Sequence, residues 1–407
     1  MRSSLHQKDY RPNTKAPLSG IRIVDLSRLV AGNMVTHVLA DFGADVIKVE
    51  SPQQGDDLRN WRVGDIPTYW KVYSRNKRSL SLDYRHPEGR ALLLRLVATA
   101  QVLVENFIPG KLERLALGPD VLLEANSKLV IARISGWGQS GPFRVKPGFG
   151  SLVEAMSGFA AMNGFADRPP VLPPLALADM ITGLYGATAI MMALRHVEVR
   201  GGPGQVIDLS LFESILSVLG PQAANYALSG TVPRRNGSRS ATTAPRNVYR
   251  CKDGKDVALS ASMQAMAERL FQAIGRPDLI ADPRFATNTA RVANNEILDS
   301  IVAGFMQAHT QEENLALFDR AGVTVGPVLD PSELLTDPFV AGRECLVELP
   351  DKDMGRLPMH NLAVRLSETP GALSRPAPDL GENNEAVLGM LGIAPSALAG
   401  LHERGVI

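Results

Sequence analysis

Asp179 is the residue whose surroundings most favour chemistry. It is the only charged residue between Arg168 and Arg195, within an otherwise apolar run over 171–186. Burying an unpaired carboxylate costs roughly several kcal/mol. Such a group therefore needs either local hydrogen bonds or a chemical role.

Two interpretations of Asp179 follow from its place in the sequence. It stands immediately before a helical pattern that runs from about Met180 to His196, which predicts a helix N-cap. A cap accepts backbone N–H bonds, and these keep a carboxylate ionised. The same geometry suits a carboxylate nucleophile, because a helix N-terminus stabilises negative charge on an intermediate. Cap and nucleophile both remain open at this level.

Two basic clusters are candidates for binding phosphate groups. The first concentrates four cations within residues 74–85: Arg75, Lys77, Arg78 and Arg85. The second, residues 110–114, follows a predicted strand at 102–105. Loops at the carboxyl edge of a parallel sheet lie over helix N-termini, where backbone N–H groups and cations favour phosphates. Ordinary surface charge explains both clusters equally well.

Several classes of enzyme are disfavoured by motifs that the sequence lacks. The Gly-x-Gly-x-x-Gly fingerprint is missing after the first strand, and there is no Walker loop, which argues against nicotinamide and ATP enzymes. There is no Gly-x-Ser-x-Gly elbow, and the seven histidines lack metal-ligand spacing. Cys251 and Cys345 are the only cysteines, so we expect no disulfide framework and no metal site.

Composition indicates a globular protein of the cytoplasm. A length of 407 residues suggests about two domains, and 45% hydrophobic with 21% charged residues is typical of a folded chain. The net charge of +1 supplies no field that would recruit nucleic acid. The N-terminal residues lack the apolar stretch of a secretory signal. Pro173, Pro174 and Asp179 interrupt the apolar run over 171–194, which favours a core helix over a membrane span.

Alternating strands and helices predict a parallel sheet with helices on both faces. The predicted strands lie at 21–26, 46–50, 102–105, 129–134 and 206–209, with helices at 32–42 and from Pro87. Residues 232–245 are polar and rich in breakers, as in a linker. A hairpin over 247–261 and helices to about Ala321 then predict a smaller α+β domain, and a last helix is predicted near 384–391.

Six ordered segments together resemble one family. They are residues 18–26 (LSGIRIVDL), 40–50 (ADFGADVIKVE), 76–83 (NKRSLSLD), 104–107 (VENF), 134–142 (ISGWGQSGP) and 204–209 (GQVIDL). In this order and at this spacing they resemble the class III CoA-transferases, the CaiB/BaiF family of formyl-CoA transferase and L-carnitine CoA-transferase.

The resemblance implies that Asp179 is the catalytic nucleophile. Its carboxylate would attack the thioester of a donor acyl-CoA such as succinyl-CoA, giving an aspartyl mixed anhydride and CoA thiolate. Return of the thiolate would give an enzyme-bound CoA thioester, from which an organic acid takes the CoA. Covalent catalysis of this kind splits one difficult exchange into easier steps. An apolar setting is suitable, because water would hydrolyse the anhydride.

The resemblance also implies a set of residues that bind CoA. They are Val30, Ala31, Leu82, Asp83, Tyr84, Arg85, Asn106, Phe107, Arg114 and Lys146, the last by a match that needs a one-residue gap. Ser51 stands where formyl-CoA transferase has a basic residue, and residues 236–245 lack that enzyme's glycine-rich loop. A different lid and a different acceptor acid are therefore expected. Acyl-CoA is a substrate in this scheme, and no tightly bound cofactor is expected.

The implied fold is a Rossmann-like large domain with a parallel sheet plus a smaller α+β domain, in an interlocked homodimer. The expected boundaries are a flexible segment at 1–17, a large CoA-binding domain at 18–225 and 335–407, and linkers with the small domain at 226–334. The expected partners are acyl-CoA, a small carboxylic acid and a second copy of the chain, but neither nucleic acid nor a membrane.

Two other functions compete with CoA transfer. An acyl-CoA racemase needs a second acid/base opposite the aspartate, and Phe149 occupies the position of the racemase histidine. A non-catalytic CoA-binding protein would keep the basic contacts without needing Asp179. For the transferase, Arg239, Arg246 and Arg250 follow the linker and are candidates for binding a second carboxylate of the acceptor.

Overall fold

A computed structural model describes residues 3–12 and 14–407. The chain divides into two compact units. The large unit comprises Met1–Ser157, Pro173–Gly220 and Leu335–Ile407, and the small unit comprises Gly158–Leu172 and Pro221–Leu334.

The described residues form twelve strands in three sheets. They are β1 (His6–Gln7), β2 (Arg22–Asp25), β3 (Asp45–Glu50), β4 (Arg78–Ser81), β5 (Val102–Glu105), β6 (Val130–Ser135), β7 (Gln205–Ser210), β8 (Arg246–Arg250), β9 (Asp256–Ser260), β10 (Val325–Pro327), β11 (Leu346–Asp351) and β12 (Gly355–His360). A six-stranded sheet has the order β4-β3-β2-β5-β6-β7, and smaller sheets have the orders β1-β11-β12 and β10-β9-β8.

Helices connect and cover these strands. They are α1 (Ala31–Asp41), α2 (Thr68–Tyr73), α3 (Pro87–Val97), α4 (Lys111–Arg114), α5 (Pro119–Ala125), α6 (Gly150–Met156), α7 (Phe159–Met162), α8 (Leu177–Arg200), α9 (Leu211–Ser217), α10 (Gln222–Ser229), α11 (Gln264–Ala273), α12 (Asn288–Ala293), α13 (Asn295–Ala308), α14 (Gln311–Arg320), α15 (Pro331–Leu334), α16 (Pro338–Gly342), α17 (Asn384–Met390) and α18 (Pro395–Glu403).

The six-stranded sheet is parallel throughout, which confirms the predicted α/β class. Its central strand β5 is buried along its whole length, as expected where helices cover both faces. Leu103 and Ile131 on neighbouring strands join Leu93 and Leu96 of α3 in one apolar core. The strand order reverses between β2 and β5, because β3 and β4 lie on one side and β6 and β7 on the other. Ligands of such sheets bind at the carboxyl ends of the strands at this reversal.

The contact between α1 and α8 depends on two glycines. A Cβ atom at Gly183 would lie 2.4 Å from Cγ of Met34, and one at Gly186 would lie 2.5 Å from a methyl carbon of Val35. The absence of side chains at both positions therefore lets the helix backbones approach closely. Among the described residues, α8 is the single helix whose length and apolar composition match a membrane span, and Gly183 and Gly186 lie on its buried face.

Most of the basic cluster at 74–85 is structural. Lys77 is fully buried and lies 3.4 Å from Asp25, which also pairs with Lys48. The Asp41 carboxylate accepts two hydrogen bonds from Arg75, and Asp45 pairs with Arg78 at 2.5 Å. Breaking a buried pair of this kind leaves an uncompensated charge, which is strongly destabilising. Arg85, by contrast, lines a cavity at the carboxyl edge of the six-stranded sheet.

Three predicted features differ from the structure. Helix α8 begins at Leu177, so Asp179 lies inside its first turn and the N-cap prediction is wrong. A further helix, α18, follows the predicted last helix. Within the segment 1–17, residues 1, 2 and 13 lie outside the described part, whereas His6–Gln7 pair with β11. The backbone bonds of β1 join His6 and Gln7 to β11.

The small unit has its own sheet and core. The predicted hairpin is confirmed, since β8 and β9 pair antiparallel with their turn at 252–254. Phe271, Phe285 and Phe318 lie in the core of this unit. Two of the arginines considered for the acceptor acid already have acidic partners: Arg239 with Asp299 at 2.5 Å and Arg250 with Asp256 at 2.7 Å. Their charges are therefore compensated within this unit.

The close contact of α1 and α8 makes Gly186→Ala destabilising. The new methyl group would meet the buried Val35, and overpacking of this kind costs about 1–3 kcal/mol. We expect a net loss, because this clash exceeds the gain of up to about 1 kcal/mol that alanine brings to a helix. Thermal denaturation followed by circular dichroism measures the effect.

Gly389→Ala in α17 is the matched control. In the described structure nothing lies within 4 Å of a Cβ atom at Gly389, so the melting temperature of this variant should rise slightly or stay constant. Equal melting temperatures for the Gly186 and Gly389 variants would contradict the close packing of α1 on α8.

Candidate active site

Two adjoining cavities open at the carboxyl edge of the six-stranded sheet. The first, here called the β3–β4 cavity, has a volume of about 400 Å³ and is lined by the ends of β2, β3 and β4. The second, here called the Asp179 cavity, has a volume of about 340 Å³. Arg28 and Lys111 line both, so the two cavities adjoin, and together they are here called the groove.

The Asp179 cavity lies where the strand order reverses. Its wall includes Arg28 after β2, Asn106 after β5 and Gly136 after β6. Ala31, the first residue of α1, and Asp179 in the first turn of α8 complete the same wall. Backbone N–H groups at helix N-termini stabilise negative charge, so the Asp179 cavity is suited to binding anions and to stabilising anionic intermediates.

Glu154 explains why α8 begins before Asp179. The N-cap residue of α8 is Ala176, whose methyl side chain cannot accept a hydrogen bond. Instead, Oε1 of Glu154, on α6, accepts a hydrogen bond from the backbone N–H of Ala178 at 3.0 Å. This carboxylate thus satisfies one of the free N–H groups of the helix, as a local cap otherwise would. The Asp179 side chain is therefore not needed as the cap of α8.

The surroundings of Asp179 raise the pKa of its carboxyl group. Burial, followed by the negative charge of Glu154, raises the pKa of Asp179 to about 6. Backbone N–H groups of Ala31 and of Asp179 itself act in the opposite direction. The carboxylate is consequently more basic than an ordinary aspartate and is still ionised at neutral pH. A perturbed carboxyl group in a cleft is a candidate reactive group.

Gly150 leaves the space that Asp179 occupies. A Cβ atom on Gly150, the first residue of α6, would lie 2.4 Å from Oδ2 of Asp179. Any side chain at this position would displace the carboxylate. The position of the Asp179 carboxylate therefore depends on a glycine of a neighbouring helix.

All of the predicted CoA-binding residues except Val30 line the groove. Ala31, Asn106, Phe107 and Lys146 lie in the Asp179 cavity, and Leu82, Asp83, Tyr84, Arg85 and Arg114 lie in the β3–β4 cavity. The Val30 side chain is buried and packs with Leu58 and Trp70. Ser51 lies at the β3–β4 cavity, so a hydroxyl faces the groove there.

Asn106 shapes the groove through the backbone. Its Oδ1 accepts the N–H of Arg28 at 2.8 Å, and its Nδ2 donates to the carbonyl of Arg28 at 2.7 Å. These two bonds fix the loop that leads from β2 into α1. They also fix the backbone from which the Arg28 side chain extends.

Cations crowd the junction of the two cavities. Lys111 Nζ lies 4.1 Å from the centre of the Phe107 ring. Burial, then the charges of Arg28 and Arg85, lowers the pKa of Lys111. Arg28 and Arg85 are paired with Asp57 and Asp83, at 2.7 and 2.8 Å. Mutual repulsion among these cations is relieved when a polyanion binds, so the junction is suited to phosphate groups.

The sequence had indicated Lys111 only as part of the basic cluster at 110–114, and it had not indicated Arg28, Arg144 or Glu154. Arg28 follows β2 directly, and Lys111 lies one helical turn before Arg114, so both had a positional signal. Glu154 had none, because its contact with Ala178 spans 24 residues between two helices.

The profile of CoA-transferase family III matches residues 18–384. The chain belongs to CoA-transferase family III. This family III CoA-transferase accordingly catalyses transfer of CoA between an acyl-CoA and an acid.

Two curated relatives and one solved structure span nearly the whole of this transferase. The succinyl-CoA–D-citramalate CoA-transferase of Chloroflexus aurantiacus is 38% identical over 395 residues, covering 96% of this chain and 98% of the relative. The succinate–glutarate CoA-transferase of Agrobacterium fabrum is 36% identical over 389 residues, covering 93% and 97%. A CaiB/BaiF family protein from Brucella suis has a TM-score of 0.82 and 34% identity, covering 93% of this chain and 100% of that structure.

The site of this transferase offers no acid/base partner for a racemase at Phe149. Phe149 is 63% exposed and lines the Asp179 cavity, where a racemase would need a proton carrier. Over residues 3–12 and 14–407 there is no group of three or more His, Cys, Asp or Glu that could hold a metal ion.

Because a Cβ atom at Gly150 would lie 2.4 Å from Oδ2 of Asp179, Gly150→Ala tests whether the position of the Asp179 carboxylate matters for activity. We expect kcat to fall at least about 100-fold, since misplacing a reacting atom by about 1 Å has effects of this size. Stability should be retained, because alanine is the better helix residue. Steady-state assays of CoA transfer, with circular dichroism to confirm folding, measure both quantities.

Ser151→Ala, at the next and exposed residue of α6, is the matched control and should leave kcat unchanged. Wild-type kcat in the folded Gly150 variant would show that the Asp179 carboxylate can move without loss of activity.

Proposed function

We propose that this transferase moves CoA from an acyl-CoA such as succinyl-CoA to a small dicarboxylic acid, with Asp179 as the nucleophile. The observation that carries the proposal is the position of a carboxylate of raised pKa at the strand-order reversal, joined to a groove lined by cations. Relatives named for transfer between succinyl-CoA or succinate and citramalate or glutarate support this substrate class. An acid with two carboxylates also suits a cavity that Arg144 and Lys146 line.

CoA would lie along the groove with its phosphate groups in the β3–β4 cavity. Arg85 and Arg114 line that cavity, and Lys111 lies at the junction. The pantetheine arm would then pass Phe107 and bring the thioester to Asp179. This orientation is the one that brings the thioester to Asp179, and it leaves the phosphates at the other end of the groove, where arginine and lysine offer charge-assisted contacts.

The reaction proceeds in balanced acyl-transfer steps. An oxygen of ionised Asp179 bonds to the thioester carbonyl carbon while the carbon–sulfur bond breaks, so CoA leaves as the thiolate. The thiolate attacks the aspartyl carbonyl carbon, releasing the donor acid and leaving CoA on Asp179 as a thioester. The acceptor carboxylate attacks the carbonyl carbon of this thioester, which breaks the carbon–sulfur bond, releases the thiolate and forms a second aspartyl anhydride. The thiolate then attacks the acceptor's acyl carbon, which gives the acceptor's CoA thioester and releases the Asp179 carboxylate.

Helix N-termini support these steps. The Ala31 N–H at the start of α1 contacts the carboxylate of Asp179 and orients it. The same partial positive charge stabilises the oxyanion that forms as Asp179 is acylated or releases its acyl group. Phe149 and Leu211 present apolar surface to the cavity, which disfavours water beside the anhydride.

The proposal extends to the assembly and the setting of the enzyme. We propose an interlocked homodimer with CoA bound to the large domain at 18–225 and 335–407, and with linkers and the small domain at 226–334. The enzyme would act in the cytoplasm, with no tightly bound cofactor and no nucleic-acid or membrane partner. The near-zero net charge is consistent with this setting.

Removing the Asp179 carboxylate should abolish transfer but not binding. We expect Asp179→Ala to lower kcat at least about 1,000-fold, because a covalent intermediate cannot form without the carboxylate. Wild-type enzyme incubated with succinyl-CoA and then hydroxylamine should carry a hydroxamate on Asp179, detectable by peptide mass spectrometry. A panel of acceptor acids assayed in parallel identifies the preferred acid.

CoA binding by Asp179→Ala, measured by calorimetry, is the control for an intact groove. Full transferase activity in this variant would contradict the proposed nucleophile. Exchange of the substrate's α-hydrogen with solvent deuterium would instead support a racemase.

Neutralising the junction of the groove should weaken CoA binding more than catalysis. We expect Lys111→Ala to raise the KM for acyl-CoA about 10- to 100-fold with a small change in kcat, because a lost charge-assisted phosphate contact is worth roughly 1.5–3 kcal/mol. The effect should shrink as ionic strength rises. Steady-state kinetics at two salt concentrations measure it.

Lys15→Ala, on the exposed surface away from the groove, is the matched control. Unchanged KM in the Lys111 variant at low salt would contradict the proposed path of CoA.

A further inference from the structure

Glu154 is a second buried carboxylate beside Asp179 that CoA transfer by Asp179 alone does not use. It lies on α6 with 2% of its surface exposed. One of its oxygens accepts the N–H of Ala178, the residue immediately before Asp179. A Cβ atom at Gly150 would lie 2.4 Å from the Asp179 carboxylate and 3.8 Å from Oε1 of Glu154, so the two carboxylates border the same small space.

The charge of Glu154 is not needed for its structural contact. In the described part of the chain, Glu154 has no ion pair with a lysine, arginine or histidine, although it is buried. Keeping a buried carboxylate without a cation costs roughly several kcal/mol. A glutamine of the same shape would accept the same hydrogen bond from Ala178 at lower cost. Because the charge is destabilising and the hydrogen bond does not require it, we infer that the charge itself has a role.

We propose that Glu154 is a positioning residue for the acyl transfer: its carboxylate holds the first turn of α8 and places a negative charge beside Asp179. The inference rests on the proposed role of Asp179 as nucleophile. Repulsion between the two carboxylates makes the ionised Asp179 more basic and therefore a better nucleophile. Acylation removes the charge of Asp179, so the repulsion is released as the reaction proceeds.

No other charged group described at the wall of the Asp179 cavity acts to raise the pKa of Asp179. The face of α1 that packs on α8 presents Ala31, Met34 and Val35, which are uncharged. Residue Leu211 of α9 and the backbone after β6 are uncharged as well. The charged groups at the cavity wall are the cations Arg28, Lys111, Arg144 and Lys146, whose attraction would lower the pKa of Asp179. Glu154 is the charged group that acts to raise it.

The test is the pH profile of Glu154→Gln, which keeps the hydrogen bond to Ala178 and removes the charge. In the wild type, kcat/KM should fall tenfold per pH unit below about pH 6, because protonated Asp179 cannot attack. In Glu154→Gln this acidic limb should move to lower pH, while kcat at pH 8 falls about three- to tenfold. The variant should therefore be the slower enzyme at pH 8 and should keep a larger share of its own plateau activity at pH 5.

Two variants serve as controls. Glu198→Gln, the same change at an exposed position of α8, should alter neither the limb nor kcat. Glu154→Asp restores the charge and should return the acidic limb toward that of the wild type. Thermal denaturation of each variant shows whether the fold is retained.

The outcomes separate this inference from the proposed function. If hydroxylamine labels Asp179 but Glu154→Gln has the pH limb and the kcat of the wild type, the charge of Glu154 has no role. A lower melting temperature with an unchanged limb would leave Glu154 a structural cap and also overturn the inference. If Asp179→Ala remains active, the proposed nucleophile fails first. A limb that shifts in Glu154→Gln and returns in Glu154→Asp supports the role described here.

Discussion

Helices α1 and α8 cross with no side chains at Gly183 and Gly186, and this contact sets where the reactive groups meet. Met34 and Val35 fill the space that two Cβ atoms would occupy. The backbone of α8 consequently lies close enough to α1 for the Ala31 N–H to reach the Asp179 carboxylate. Without that approach, the first turn of α8 and the reversal point of the sheet would not share one cavity.

Electrostatics at the site combine opposing effects. Burial and Glu154 disfavour the charged form of Asp179, whereas two backbone N–H groups favour it. The balance leaves a carboxylate that is ionised at neutral pH yet more basic than usual, which is the condition a carboxylate nucleophile needs. At the junction of the two cavities, cations are held close to one another, so a bound polyanion completes the charge balance.

Periodicity alone predicted the parts of the fold that depend on local patterns. Strands such as β5 and helices such as α3 were predictable because runs of valine and leucine, and proline at a first helical turn, act within a few residues. The role of the cluster at 74–85 was not predictable. Arg75 and Lys77 find their carboxylates on α1 and β2, and only packing shows that these cations are buried.

Asp179 shows the same division. The sequence by itself determined that one carboxylate stands in an apolar run near the start of a helix, and its ordered motifs determined the family. Whether that carboxylate caps the helix was decided by tertiary structure, because Glu154 from another helix accepts the hydrogen bond of the Ala178 N–H. Gly150 then leaves room for the carboxylate that capping no longer requires. Both contacts join residues distant in sequence, and no local pattern encodes such a meeting.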